Sequence, residues 1–384
     1  MTGKWFLFLS AILLFGCSDS KSGSGEDTDS DTVNSLDSET GSGADNTEDS
    51  ASDLIGDSES DYAGGGLCGA EKGQLFKPDH PWNQSIDNSP LDDESDNIIA
   101  FLQNNRDEFG TFQMDGPSDE ENNTYGLVVL NGDESDRREF TPTDDFFGNE
   151  CDPAPMPLPP AGAIEGETAY ACENDGDCHH LVIDEKNCRL YEMWRANVEG
   201  DTFYGGCQAI WDLTETYVET LRGDCCTSAD AAGLPIAALT FSADDIANGE
   251  INHAIRFVLP NDFIRDNIYV RPATHSTNHT SGGADAPPYG ARLRLKSDFD
   301  DSSLNDAAKI VAAALKKYGM IVADGGNITF TAMNDRYTTH KWAEVGLGPH
   351  DLMSLDWTDF EVVDLGKRFT YDDSCNCTRT QITD

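Results

Sequence analysis

Residues 303–324 read SLNDAAKIVAAALKKYGMIVAD. Leu304, Ala307, Ala308, Val311, Leu315 and Tyr318 recur at helical spacing and mark one apolar face. Ser303 with Asp306 has the pattern of a capping box. Lys316 and Lys317 oppose the negative end of the macrodipole, and Gly319 stands where a left-handed C-cap belongs. The spacing predicts a long helix over 304–318. Met320–Ala323 is then a continuous apolar run that enters a sheet, and Asp324-Gly325-Gly326 turns the chain into a second strand over Ile328–Thr331.

Outward from this segment the chain reads mainly as strands. His179–Asp184 and Cys188–Trp194 alternate around Glu185-Lys186-Asn187, a hairpin pattern. Gly206–Leu213, Ile251–Leu259, Asn267–Arg271 and Gly290–Lys296 are further strand candidates, and Tyr125–Leu130 is one in the N-terminal portion. Short helices are expected at Asn97–Asn104, from Thr227 or Ser228 through Ala232, and after Ser242, whose spacing to Asp245 is that of a capping box closed by Gly249. Pro153–Pro160 excludes helix and central strand and reads as a wrap over the surface. Many short strands with one long helix point to a mainly β protein, a β-sandwich or jelly-roll-like body. Residues 67–384 are read as one exported domain, with a loop-rich wrap at 67–160 and a β-rich body at 161–384.

The start of the chain places it outside the cytoplasm. Lys4 precedes an apolar run, Trp5–Phe15, too short to span a bilayer stably, and Leu14-Phe15-Gly16-Cys17 ends it. Residues 18–66 hold fourteen acids against Lys21 and almost no aromatic side chain, the composition of a disordered tether. The formal charge of the chain is −46; without the tether and Lys4 it is still −34, which argues against nucleic acid and anionic membrane surfaces. Eleven cysteines leave ten beyond Cys17, an even number that reads as up to five disulfides. Cys172 or Cys178 is expected to pair with Cys188 across the hairpin. Cys375 or Cys377 is expected to tie down the C-terminus, and Cys225 and Cys226 are not expected to bond each other.

No established catalytic motif is present, so the candidates are polar residues in or beside apolar strands. Glu192 and Asp212 are carboxylates flanked by aromatic residues, where burial raises a pKa and suits general acid work. His253 shares the apolar face of its strand with Ile251, Ile255 and Phe257, and Arg256 lies on the other face. Arg292, Arg294 and Lys296 share one strand face, either pairing with neighbouring carboxylates or binding an anionic sugar. Trp211 suits sugar stacking. His275 and His279 stand in a loop, and Asp324 at a strand end. The acidic turn at 173–177 could take calcium but lacks an EF-hand pattern, and no metal site is assigned.

The ending at Cys17 resembles the lipobox of bacterial lipoproteins. That resemblance implies lipidation of Cys17 and anchoring to a membrane, and Ser18 after it favours the outer membrane. The body resembles a family of uncharacterised secreted bacterial proteins through Pro81-Trp82-Asn83, TSADAAGLP (227–235), GEINHA (249–254), RPATH (271–275), PPYGARLRLK (287–296) and YGMIVAD (318–324). This likeness implies one integrated exported domain and supplies no reaction. Two functions follow. One is a surface-tethered carbohydrate-active enzyme, hydrolase or lyase, on an extracellular polysaccharide, with Glu192, Asp212, His253, His275, Arg292 and Asp324 lining its cleft. The other is a non-catalytic glycan-binding, adhesion or structural lipoprotein. Convergence of His253, His275, Arg292 and a carboxylate at one pocket favours the first. Scatter, or closure in salt bridges, favours the second.

Overall fold

The hairpin read at 179–194 forms as two paired strands, His180–Asp184 and Arg189–Trp194, with His180 opposite Met193 and Asp184 opposite Arg189. The Asp184 carboxylate closes the turn by accepting from the backbone N–H and side-chain amide of Asn187. Cys207–Asp212 extends the sheet antiparallel to Arg189–Trp194, and Val129–Asn131 adds in parallel to His180–Asp184. A second sheet runs in the order Thr329–Phe330, Ile255–Leu259, Met320–Gly325, Arg292–Leu295, Phe360–Val362. Its central pair, Ile255–Leu259 with Met320–Gly325, is parallel. These data come from a computed structural model, which describes residues 66–384 apart from 107–111, 115–123, 145, 174–175 and 328. The signal-like start with Cys17, the tether up to residue 65, two residues of the acidic turn and Ile328 lie outside the described residues. The described residues belong to one unit, Ser60–Asp384.

The body is β-rich and disulfide-rich, but both sheets are mixed, where a jelly roll pairs its strands antiparallel. The helices longer than one turn are α1 (Ser95–Asn105), α2 (Ala243–Asn248) and α3 (Asp306–Lys317); a single turn, α4, spans Trp342–Val345. The expected helix at 304–318 is therefore not alone, since α1 is nearly as long. Its apolar face is buried as read, Ala308, Val311 and Leu315 completely. The cap differs: Asn305, not Ser303, accepts the Ala308 N–H, at 2.8 Å. The side chain one residue before the helix reaches the exposed N–H groups, while Ser303 lies two residues further back. At α2 the capping box and the Gly249 stop, φ +82°, form as expected. No helix among the described residues is long and apolar enough to cross a membrane.

One apolar core joins Leu190, Ala209 and Trp211 of the hairpin sheet to Phe257, Met320 and Val322 of the central sheet and Val311 and Leu315 of α3. The other face of the hairpin sheet, with Val182, Tyr191, Met193 and Ile210, packs on Met156 and Phe203. The proline-rich segment is thus not a surface wrap. Met156–Pro157 pairs with Arg137–Arg138 and is buried, and Gln208 Nε2 donates to the Asp152 and Ala154 carbonyls. No helix forms at 227–232; Ser228 Oγ instead accepts from the Asp230 N–H and donates to the Leu234 carbonyl, folding a tight loop.

Five disulfides join Cys68–Cys188, Cys151–Cys207, Cys172–Cys178, Cys225–Cys375 and Cys226–Cys377. The C-terminus is tied down as read, by both of its cysteines. The hairpin pairing is corrected: Cys172 and Cys178 bond each other, and Cys188 meets Cys68, brought to the hairpin turn by the N-terminal segment.

Candidate functional site

A cleft of about 570 Å³ opens over the C-terminal end of the central parallel pair, walled by the 227–231 and 275–279 loops. Behind two of its lining residues, Asp230 and Asp324, lies Arg256, in the second position of Ile255–Leu259 and buried. Arg256 Nε and Nη2 both lie 2.8 Å from Asp230 Oδ1, and Nη2 donates to Asp324 Oδ2 at 2.9 Å. Asp324 reaches this place through a bulge: Phe257 pairs with Val322 but Val258 pairs with Asp324, leaving Ala323 as the extra residue. Such a bulge re-aims the side chains beside it.

The two carboxyls differ in access. Asp230 is fully enclosed and its Oδ2 has no hydrogen-bond partner, whereas Asp324 keeps 24% of its side chain exposed. Burial raises the pKa of both, and Arg256 offsets this only in part. For Asp230 the nearby Asp324 charge pushes in the same direction as burial. Two carboxyls on one guanidinium therefore retain a proton to higher pH than ordinary aspartates do.

Two histidines flank the pair in opposite states. His179 Nδ1 lies 2.6 Å from Glu165 and its Nε2 lies 3.1 Å from the Ala229 carbonyl, so both nitrogens donate and the ring is an imidazolium. Burial opposes that charge, but the Glu165 carboxylate outweighs it and lifts the pKa to about 9. His275 Nδ1 donates to the Ala231 carbonyl at 2.7 Å, which leaves Nε2 as a lone pair. Burial lowers its pKa to about 4, so it is neutral at neutral pH. Its ring meets Tyr371 edge-on, with centroids 4.4 Å apart, and its Nε2 lies 3.8 Å from Glu150 Oε2. Ser276, also at the cleft, has a buried hydroxyl without a partner. At the rim, half-exposed Phe147 stacks on Trp194, 6.0 Å between centroids.

Of the residues read from the sequence, His275, His279 and Asp324 line this cleft, as does Asp177 of the acidic turn, and the others do not. Glu192 is fully buried in the core behind it, accepting from Trp211 Nε1 at 2.9 Å and from the Ala237 N–H at 2.8 Å. Trp211 is spent in that contact and fully buried, so it is no sugar platform. Asp212 is paired with Arg189 at 2.9 Å at the strand end, with 23% of its side chain exposed. His253 precedes the strand, which begins at Ile255, and bonds its own neighbour, the Ala254 carbonyl. It faces a separate smaller cavity with Asp245 and Gln74. Arg292 is consumed by the carbonyls of Tyr318, Pro81 and Gln84; Arg294 pairs with Glu361, and Lys296 donates to Thr358. None of the three lines this cleft, and Lys296 lines a separate cavity with Asp96 and Glu361.

Sequence reading passed over Asp230, Arg256 and His179. The available signal was the charged residue inside the apolar strand Ile255-Arg256-Phe257-Val258-Leu259. In a one-sided antiparallel strand Arg256 would face solvent, but a parallel strand covered on both faces buries it. Among the described residues the three-residue group with ligand atoms close enough for one ion is Glu167, Cys172 and Cys178, and its two cysteines are bonded to each other. No family profile, curated protein or solved structure matches the chain.

Glu192 imposes a pH dependence on the fold. Burial pushes its pKa up to about 7, against the pull of its two N–H donors. A carboxyl raised in the folded state binds more protons there than when unfolded, so stability falls as pH rises from its unfolded value near 4.5 to about 7. The full effect is roughly 3 kcal/mol by linkage. Urea midpoints measured between pH 4.5 and 8 are expected to show this decline. They are expected to show it flattened in Glu192→Gln, which is itself about 1–3 kcal/mol less stable because the amide cannot accept from both donors.

Proposed function

We propose that the protein is an exported, surface-tethered enzyme that hydrolyses glycosidic bonds of an extracellular polysaccharide, with the cleft over Arg256 as its active site. The observation that carries this reading is the Asp230–Arg256–Asp324 group. It is two carboxyls with raised pKa on one guanidinium, at a cleft with an aromatic rim. Perturbed carboxyls in a cleft mark functional sites, and glycoside hydrolysis needs one protonated and one ionised carboxyl. Asp324, the exposed member, meets the substrate. Asp230 holds Arg256 beside it, and the His275 lone pair accepts from a sugar hydroxyl. Phe147 with Trp194 offers the ring surface on which sugars stack.

Export is supported by the signal-like start and by the five disulfides, which persist in oxidising compartments. A lipid on Cys17 is the proposed anchor, and fatty-acid labelling lost in Cys17→Ser tests it. Release of reducing ends from a polysaccharide panel is the test of activity. Turnover is expected to fall at least a hundredfold in Asp324→Asn, with the thermal midpoint retained. A second reading, glycan binding without turnover, is favoured by the scatter of His253 and Arg292 away from the cleft and by the full enclosure of Asp230 in its ion pair. Binding by the native chain with no released ends from any polymer would establish it.

A further inference from the structure

The charge of the cleft selects among sugars, an inference that rests on the glycan-cleaving reading above. Its ionisable lining carries three carboxyls, Asp177, Asp230 and Asp324. Arg256 beneath them is already divided between Asp230 and Asp324. The cationic lining residue, Arg195, lies over the Trp194 ring, 4.9 Å from its centroid, and His275 is held neutral by burial. The arginines and lysine read as an anion site are spent elsewhere on carbonyls and Glu361. A uronate entering this cleft meets three carboxyls against Arg195, the one arginine of the described lining. An ammonium meets Asp324, which is partly exposed, with the unpartnered Asp230 Oδ2 enclosed behind it. Its charge also drives both carboxyls toward the ionised form.

We propose that the cleft binds a glycan bearing free amines, a polymer of 2-amino sugars, in preference to neutral sugars, and excludes uronates. The test is calorimetric titration of the native chain with equal-length oligomers of glucosamine, N-acetylglucosamine and a hexuronic acid. The glucosamine oligomer is expected to bind about tenfold more tightly than its acetylated counterpart at low salt, the size of one charge-assisted contact. The ratio is expected to shrink in high salt and to approach one in Asp324→Asn. Equal or tighter binding of the acetylated oligomer, or binding of the uronate, overturns the proposal. If acetylated oligomers are bound and cleaved with no amine advantage, only this inference fails. If no sugar of any kind binds, the glycan-cleaving reading falls and takes this one with it.

Discussion

Arg256→Met is expected to cost about 3–5 kcal/mol of folding stability at pH 8, the largest loss of any single substitution considered for this protein. The guanidinium is the shared partner of Asp230 and Asp324, and Asp230 is fully enclosed. Removing it leaves two facing carboxyls with no cation between them, in a region where burial already raises both pKa values. The nearest other cation is the His179 imidazolium, which is itself committed to Glu165. Without Arg256 both carboxyls titrate still higher, so the folded state binds more protons than the unfolded one over a wider pH range. Stability of the variant is therefore expected to recover as pH falls toward 5 and to drop as pH rises. Urea unfolding at pH 5 and pH 8 checks this. Adding Asp230→Asn and Asp324→Asn to the variant is expected to restore part of the loss at pH 8 and little at pH 5. A variant equally stable at both values would mean that the ion pairs are not what holds this junction.

The second large effect lies in the C-terminal segment and is expected to be non-additive. Cys225–Cys375 and Cys226–Cys377 span 150 and 151 residues. Either bridge alone closes the long loop; with one in place, the other closes only a short ring between neighbouring residues. Loop-closure entropy then assigns about 5 kcal/mol to the pair and little to the second member. Cys375→Ser and Cys377→Ser are each expected to lower stability by about 1 kcal/mol or less. The double variant is expected to lose about 5 kcal/mol. Any oligosaccharide binding at the cleft should also be lost in the double variant, because Tyr371 meets His275 edge-on and Arg379 reaches Asp152 from this same segment. Chemical denaturation of the three variants, with oligosaccharide binding by each, checks both parts. Two single losses that sum to the double loss would show that each bridge acts independently.

Much of the local structure was legible. The hairpin at 179–194, the capping box at Ser242 and the buried face of α3 follow from spacing and from side chains within one turn of each other. Where local signals competed, position decided: Asn305 displaced Ser303 as a cap because it lies closer to the first N–H groups. The site was legible only in part. His275 and Asp324 were found because a histidine and a carboxylate at the ends of apolar segments stand out in the chain. Glu192 was recognised as buried with a raised pKa, but a buried carboxyl can be held in a core as well as in a cleft, and the Trp211 and Ala237 donors place it in the core.

By itself the sequence determined the α2 and α3 helices, the hairpin, an even number of cysteines beyond Cys17, and the acidic charge. Each of these depends on composition or on residues a few positions apart. The tertiary structure alone decided which cysteines meet, that Ile255–Leu259 pairs in parallel with Met320–Gly325, and hence that Arg256 faces inward. It also decided that Asp230, His275 and Asp324 share one cleft while His253 and Arg292 do not. Those outcomes depend on strand order and on a one-residue bulge at Ala323. Neither leaves a local period in the chain, because the contacts they create join segments far apart in sequence.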